Sequence, residues 1–164
     1  MPKQPKGLSD LFYETLKDIY YAEKQILRAL PKMARGAHAA QLREAFEQHR
    51  AETEGQIERL ESIFEMIGKA PRGKTCDAII GIIDESKEVM EDFAGSEALD
   101  AGILSAAQAV EHYEISRYGT LIAWAEQLGL TDAVPLLEET LAEEKRTDLL
   151  LSKLALSSIN AEAA

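Results

Sequence analysis

The sequence predicts an all-α fold: a four-helix bundle built from two antiparallel hairpins, with a short extra helix in the long crossover connection between them. In four segments of nearly thirty residues, apolar side chains recur every three or four positions, which is the spacing of one helix face. Ala, Leu and Glu, which favour helices, are abundant, and no segment alternates as a strand does. Each hairpin loop is short, so its two helices must be antiparallel neighbours.

The first hairpin is predicted from two long stripes of apolar residues. Its first helix runs over about residues 8–35, and Gly36 ends it. Its second helix runs over about residues 39–67. Either Glu52 or Thr53 completes the stripe of this second helix, because they stand three and four residues after His49.

The connection between the hairpins, residues 68–95, carries a shorter amphipathic helix predicted over about residues 76–93. A fully extended chain of this length reaches well beyond the ~45 Å of a thirty-residue helix. The connection can therefore return the chain along the whole length of the bundle before the second hairpin begins.

The second hairpin is predicted from its cap residues as well as from its stripes. Ser96 is the expected N-cap of the fourth helix, which extends to about Leu128. Thr131 or Asp132 is the expected cap of the fifth helix, and Pro135 is tolerated in its first turn.

Composition limits the classes of function. The 164 residues suit a single domain, predicted over residues 1–164 with flexible ends at 1–7 and 160–164. The net charge of −11, without a basic patch, disfavours nucleic-acid binding. The single cysteine excludes an internal disulfide. Residues 1–7 lack the apolar core of a signal peptide, and no apolar run reaches the roughly eighteen residues of a membrane span, so a cytoplasmic protein is expected.

Four glutamates lie on or beside the apolar stripes, where a carboxylate is costly. They recur at a fixed offset: 91 positions separate Glu23 from Glu114, and 91 separate Glu52 from Glu143. A carboxylate in a bundle core costs several kcal/mol unless a cation or a proton compensates its charge. Several carboxylates directed at one place therefore predict a metal site.

Residues equidistant from a hairpin loop lie at one level of the bundle. Glu23 and Glu52 are centred on position 37.5 in the first hairpin, and Glu114 and Glu144 on position 129 in the second, so these four residues define one level. A second level lies one helical turn away. The predicted metal ligands are the oxygen-bearing side chains of these two levels: Glu23, Glu52, Gln56, Glu111, Glu114, Glu144 and Asp148. His49, one turn before Glu52, and Glu143, which the repeat favours over Glu144, are further candidates.

The donor types indicate which metals the site would bind. Di-iron carboxylate bundles pair a Glu with a His three residues later on two of their helices. This chain instead has Glu52-x-x-x-Gln56 and Glu144-x-x-x-Asp148, which also keep both groups on one helix face. A site of carboxylates and an amide favours Mn or Fe, or even Mg or Ca, over Zn or Cu.

Four motifs resemble the YciF/YciE family of bacterial stress-response proteins: YYAEKQ around Glu23, HRAETEGQIERL around Glu52, VEHYEISRYGTL around Glu111 and EETLAEEKRTD around Glu144. They occur in the family's order, and the resemblance extends from Leu8 to about Leu156. It implies a ferritin-like, rubrerythrin-like helical bundle that forms a homodimer. For that family a dinuclear metal site is inferred from the fold.

Two classes of function follow from these observations. In the first, a dinuclear Fe or Mn centre in the bundle core reacts with a small oxidant, peroxide or oxygen, during stress. In the second, the protein is a non-catalytic dimeric stress or structural protein, whose carboxylates bind metal only structurally or not at all. Metal content and oxidant consumption distinguish the two.

Overall fold

The computed structural model describes Met1 and residues 3–164; Pro2, part of the N-terminal segment predicted to be flexible, lies outside the described residues. The described residues form helices and loops without strands, which confirms the all-α prediction. The five main helices are α1 (Leu8–Gly36), α2 (Ala40–Met66), α3 (Asp77–Asp92), α4 (Leu99–Gln127) and α5 (Val134–Leu154). A π-helical turn, Ala155–Ile159, and a last α-helical turn, Asn160–Glu162, continue α5.

Two predicted helix caps are wrong. Ser96 is not the N-cap of α4, because a turn precedes the helix: Ala98 N–H donates to Ser96 Oγ at 3.1 Å, and helical residues begin at Leu99. Thr131 and Asp132 do not cap α5, because they lie in a turn closed by the Ala133 N–H on the Leu130 carbonyl at 3.0 Å. In both places the turn itself satisfies the backbone groups that a cap would have bonded.

The start of α4 lies at the end of α1. Asp100 accepts hydrogen bonds from the backbone N–H groups of His38 and Ala39, both at 2.7 Å, in the loop that joins α1 to α2. At the other end of the molecule, Phe12 of α1 lies beside Leu128 just after α4. Helices α1 and α4 are therefore antiparallel, and residues 67–98 return the chain along the bundle, as the length of this connection predicts.

The other contact between the hairpins, α2 against α5, is also antiparallel. Arg59 Nη1 donates to Thr140 Oγ1 at 2.8 Å, whereas the earlier Glu52 of α2 accepts from the later Thr147 of α5 at 3.4 Å. Each of the four long helices thus packs against two others. Their inward faces enclose a core in which the polar stripe residues must find partners.

Helix α3 covers one side of the bundle and approaches it closely. A Cβ added to Gly36 would lie 2.5 Å from Met90 Cε, and one added to Gly102 would lie 2.5 Å from Val89 Cγ1. The first turn of α3 is anchored by Cys76, whose buried Sγ lies 3.0 Å from the Tyr113 hydroxyl of α4. Gly102 therefore makes room for the branched Val89 side chain at the start of α4, whereas at Gly36 the flexible end of Met90 is free to move aside.

The buried stripes follow the predicted periodicity. In α2 the open choice between Glu52 and Thr53 is decided for Thr53, which is fully buried and donates to the His49 carbonyl at 2.7 Å. Glu52 is only half-buried. Among the described helices, none combines the length and the apolar character needed to cross a membrane.

Candidate metal centre

Four titratable side chains meet in the bundle core. One ligand atom from each of His49, Glu111, Glu114 and Glu144 lies within 4.8 Å of the corresponding atom of every other. At least 97% of the surface of each residue is buried, since their exposed fractions are 3%, 1%, 0% and 0%. We call these four residues the core cluster. Its size and donor types suit one metal ion.

The core cluster combines three helices of the bundle. Glu111 and Glu114 stand three residues apart on α4, so they project from one face. His49 lies on the buried stripe of α2, and Glu144 lies on that of α5. Because both hairpins are antiparallel, these stripes meet near the middle of the molecule. The levels deduced from the hairpin loops thus explain why residues distant in sequence meet here.

Many polar atoms at this place are buried without a hydrogen-bond partner among the described residues. An orphaned buried acceptor normally costs about 1–3 kcal/mol, and more when it is charged. Such atoms are rare in folded proteins and need an explanation. Those belonging to the sequence-predicted site are Glu23 Oε2, both ring nitrogens of His49, Gln56 Oε1, Glu111 Oε2, and both carboxyl oxygens of Glu114 and of Glu144.

The buried carboxyl groups have strongly raised pKa values. Burial, followed by repulsion from Glu144, raises the pKa of Glu23 to about 8. Burial likewise raises the pKa of Glu111 to about 8. Burial raises the pKa values of Glu114 and Glu144 well above the ordinary range of a glutamate. Without a cation, the cluster therefore retains protons that a carboxylate on the surface would release.

Glu23 borders the core cluster from α1. The Tyr118 hydroxyl of α4 donates to Glu23 Oε1 at 2.5 Å, while Oε2 has no partner. Glu23 is fully buried, and its carboxyl group lies near those of Glu114 and Glu144. Burial and the neighbouring carboxyl groups raise the pKa of Tyr118 well above that of a free tyrosine. Tyr118 therefore keeps its proton and holds one oxygen of Glu23 in place.

The neighbouring glutamates of α5 have different surroundings. Glu144 is fully buried and belongs to the core cluster. Glu143 forms an ion pair with Arg59 of α2 and accepts a hydrogen bond from Gln56 Nε2 at 2.9 Å. Arg59 therefore compensates the charge of Glu143, the residue that the sequence repeat favours as a ligand. Glu144 has no such partner among the described residues. Sequence reasoning missed Arg59, although its position three residues after Gln56 was a usable signal.

Two of the predicted ligands, Glu52 and Asp148, have hydrogen-bond partners away from the core cluster. Glu52 accepts hydrogen bonds from Gln48 Nε2 at 3.3 Å and from Thr147 Oγ1 at 3.4 Å. Asp148, 22% exposed, lies 3.1 Å from His112 Nε2. Both carboxylates thus have partners on the outer side of the stripe. Their assignment as ligands stays a prediction.

His49 has a more central place than its rank as a further candidate suggests. Its Nε2 atom lies 2.9 Å from Glu111 Oε1, yet neither ring nitrogen makes a well-directed hydrogen bond among the described residues. Gln56, two turns later on the same stripe, uses its amide nitrogen on Glu143 and leaves its oxygen unpaired. Both side chains therefore retain a free lone pair in the core.

The fold and the site define an all-helical bundle protein with a buried carboxylate and histidine cluster. Residues 7–164 match the family described as "Domain of unknown function (DUF892)". The chain belongs to this family. It is also 48% identical to Protein YciF of Escherichia coli (strain K12) over 160 residues, which are 96% of each chain. The resemblance to the YciF/YciE family is thereby confirmed.

Two solved structures are similar over nearly their whole length. The crystal structure of the E. coli stress protein YciF has a TM-score of 0.90 and 46% identity, covering 95% of this chain and 99% of its own. YcfI from Rhodopseudomonas palustris has a TM-score of 0.89 and 47% identity, covering 93% of this chain and 97% of its own. The protein therefore has the fold of these bacterial relatives.

Proposed function

We propose that this protein is a ferritin-like, cytoplasmic stress-response protein that binds a dinuclear Fe or Mn centre in the core of a four-helix bundle. The observation that carries the proposal is the set of unpaired, buried oxygen and nitrogen atoms around the core cluster. A cation compensates such atoms better than protons do, because it can accept several lone pairs at once.

The donor set fits the proposed metals. The core cluster offers three carboxyl groups and one imidazole to one ion. Glu23 adds an unpaired oxygen at its border, and Gln56, two turns after His49 on the same stripe, has another; both support a second ion beside the first. Carboxylate oxygens with a single imidazole favour Fe or Mn over the softer or more nitrogen-seeking metals.

Oxidant reduction is the chemistry that such a centre would serve. When bound, a pair of Fe(II) or Mn(II) ions supplies two electrons, the number that reduces hydrogen peroxide, with two protons, to two water molecules. The chain itself would hold protons nearby, because the Tyr118 hydroxyl donates to Glu23 at the border of the cluster. The buried apolar residues around these groups limit the access of water.

Metal content tests this function directly. Protein purified without a chelator is expected to contain Fe or Mn by elemental analysis, and added Mn(II) is expected to stabilise the metal-free form. At a hundredfold excess over Kd, a ligand raises the free energy of unfolding by about 2.7 kcal/mol. The Glu114→Ala/Glu144→Ala variant should show neither effect. A parent protein that holds no metal and gains no stability from Fe(II) or Mn(II) would refute the proposal.

The alternative is a non-catalytic stress or structural protein. Its distinguishing observation is the pKa pattern, since four buried carboxyl groups with raised pKa values can remain protonated and neutral without metal. Metal-loaded protein that consumes no peroxide and no oxygen would favour this alternative. Consumption by the parent, lost in the variant without metal, would favour the redox function.

A homodimer is the proposed assembly, and exposed leucines on α5 and the turn after it support it. Leu149 is 57% exposed and Leu156 is 84% exposed, two helical turns apart. Large apolar side chains grouped on a surface mark an interface. We expect the Leu149→Asp/Leu156→Asp variant to sediment as a monomer, whereas Leu11→Asp, at an exposed leucine of α1, should leave the dimer intact. Sedimentation of the parent as a monomer would contradict the assembly.

A further inference from the structure

A small cavity lies directly beside the core cluster. Its volume is about 20 Å³. His49 and Glu111 form part of its wall, and most of the remaining wall is apolar. The lining residues outside the core cluster are Ile26, Ala29, Leu30, Met33, Ile83, Ser86, Ala107 and Val110. The cavity is thus separate from the ligand atoms but touches two of the residues that carry them.

The residues of the cavity wall range from half-buried to almost fully buried. Ala29 of α1 and Ile83 of α3 are only half-buried, whereas His49 and Glu111 are almost fully buried. Helix α3 contributes Ile83 and Ser86 to the wall, and it lies close to Gly36 and Gly102. The side of the cavity formed by Ala29 and Ile83, between α1 and α3, is therefore the side nearest the surface.

The size and the chemistry of the cavity select its occupant. A water-sized molecule needs roughly 10–15 Å³ of such space, so this cavity accommodates one very small molecule and excludes organic substrates. The polar residues of this wall are His49, Glu111 and Ser86, and the other seven lining residues are apolar. Along the rest of the cavity, contacts with apolar side chains favour an uncharged molecule with little hydration.

We propose that this cavity binds a small apolar gas molecule of the dioxygen class and holds it against His49 and Glu111. The binding itself rests only on the cavity. The identity of the physiological occupant as an oxidant rests on the function proposed above.

Xenon binding by the metal-free protein tests the proposal. Crystals pressurised with xenon should show one site bounded by Met33, Ala107 and Val110, and dissolved xenon should give a saturable ¹²⁹Xe shift. Ala107→Leu fills the space and should abolish both signals. Ala109→Leu, an exposed change on the same helix, should keep them. If Ala107→Leu does not fold, Ala29→Leu fills the cavity from its half-exposed end and decides the question.

The outcomes separate this inference from the proposed function. Absence of xenon at this place in the parent, or its retention in the filled variants, overturns the cavity as a gas site whatever the metal content is. If Fe(II)-loaded parent consumes dioxygen, the filled variant should do so several-fold more slowly, and an unchanged rate overturns the cavity as the route. If the parent binds xenon here but no metal, the proposed function fails while the gas site stands.

Discussion

Metal-free protein is expected to lose stability as the pH rises from about 5 to about 8.5. The pKa values of Glu23 and Glu111 rise from 4.5 to about 8 on folding. The folded state therefore binds more protons than the unfolded state between these values. The stabilisation is fully present below pH 4.5 and is lost as the pH rises through 8, by an amount on the order of several kcal/mol. Urea unfolding across this range, with a chelator present, measures the loss.

The same experiment with saturating Mn(II) should reverse the slope. Metal ligands must be deprotonated, so binding strengthens as the carboxyl groups lose their protons. Glu111→Gln provides a control, since it removes one titrating group and should flatten the dependence of the metal-free protein. Glu14 does not interfere, because Lys17 and Lys74 hold its pKa at about 2, below the range tested. If the free energy of unfolding of the metal-free protein stays level or rises between pH 5 and 8.5, ionisation of the buried carboxyl groups does not destabilise the fold, and the prediction is refuted.

Adjacent substitutions on α5 are expected to have opposite effects. Glu144→Gln should stabilise the metal-free protein at pH 8 by about 1–3 kcal/mol, because the new amide can donate to Glu111 or Glu114. Glu143→Gln should destabilise it by about 1–2 kcal/mol, because Arg59 loses its charged partner at a site that solvent screens in part. Chemical unfolding of the two variants beside the parent measures both effects.

Metal affinity should reverse this order: Glu144→Gln, the more stable variant without metal, should lose more affinity for metal than Glu143→Gln. Loss of an outer partner of a ligand commonly costs roughly 10–100-fold in affinity, and loss of Glu144 as a ligand should cost at least as much. Glu143→Gln should cost less than this, because Glu143 reaches the site only through its hydrogen bond with Gln56, and the amide oxygen of the new side chain can still accept that bond. Calorimetric titration with Mn(II) provides the comparison. Retention of full affinity by Glu144→Gln, with its loss in Glu143→Gln, would transfer the ligand role to Glu143.

The helices of this protein were predictable because their signal is local. Apolar spacing identified the buried stripe of α4, including Glu111, Glu114 and Tyr118, without knowledge of any neighbour. Helix starts were less predictable, as Ser96 shows, because a cap-forming residue can equally bond within a turn that precedes the helix. The boundary depends on which of these two nearly equivalent local structures the tertiary contacts favour.

The composition of the site was predictable only in part. The hairpin levels placed Glu111, Glu114 and Glu144 near one another, since antiparallel packing relates heights in the bundle. They could not establish that Glu52 and Asp148 turn toward other partners. Height along a helix and rotation about it are independent, and a hairpin loop determines only the first.

By itself, the sequence determined that this protein is helical, that its long helices form hairpins and that carboxyl groups lie on their buried faces. These properties depend on spacing along one chain segment, which periodicity reports directly. The tertiary structure alone placed Glu144 rather than Glu143 in the core cluster, and Thr53 rather than Glu52 on the buried face of α2. One residue step rotates a side chain by about 100°, so only the packing of α2 and α5 against the other helices selects the position that faces inward.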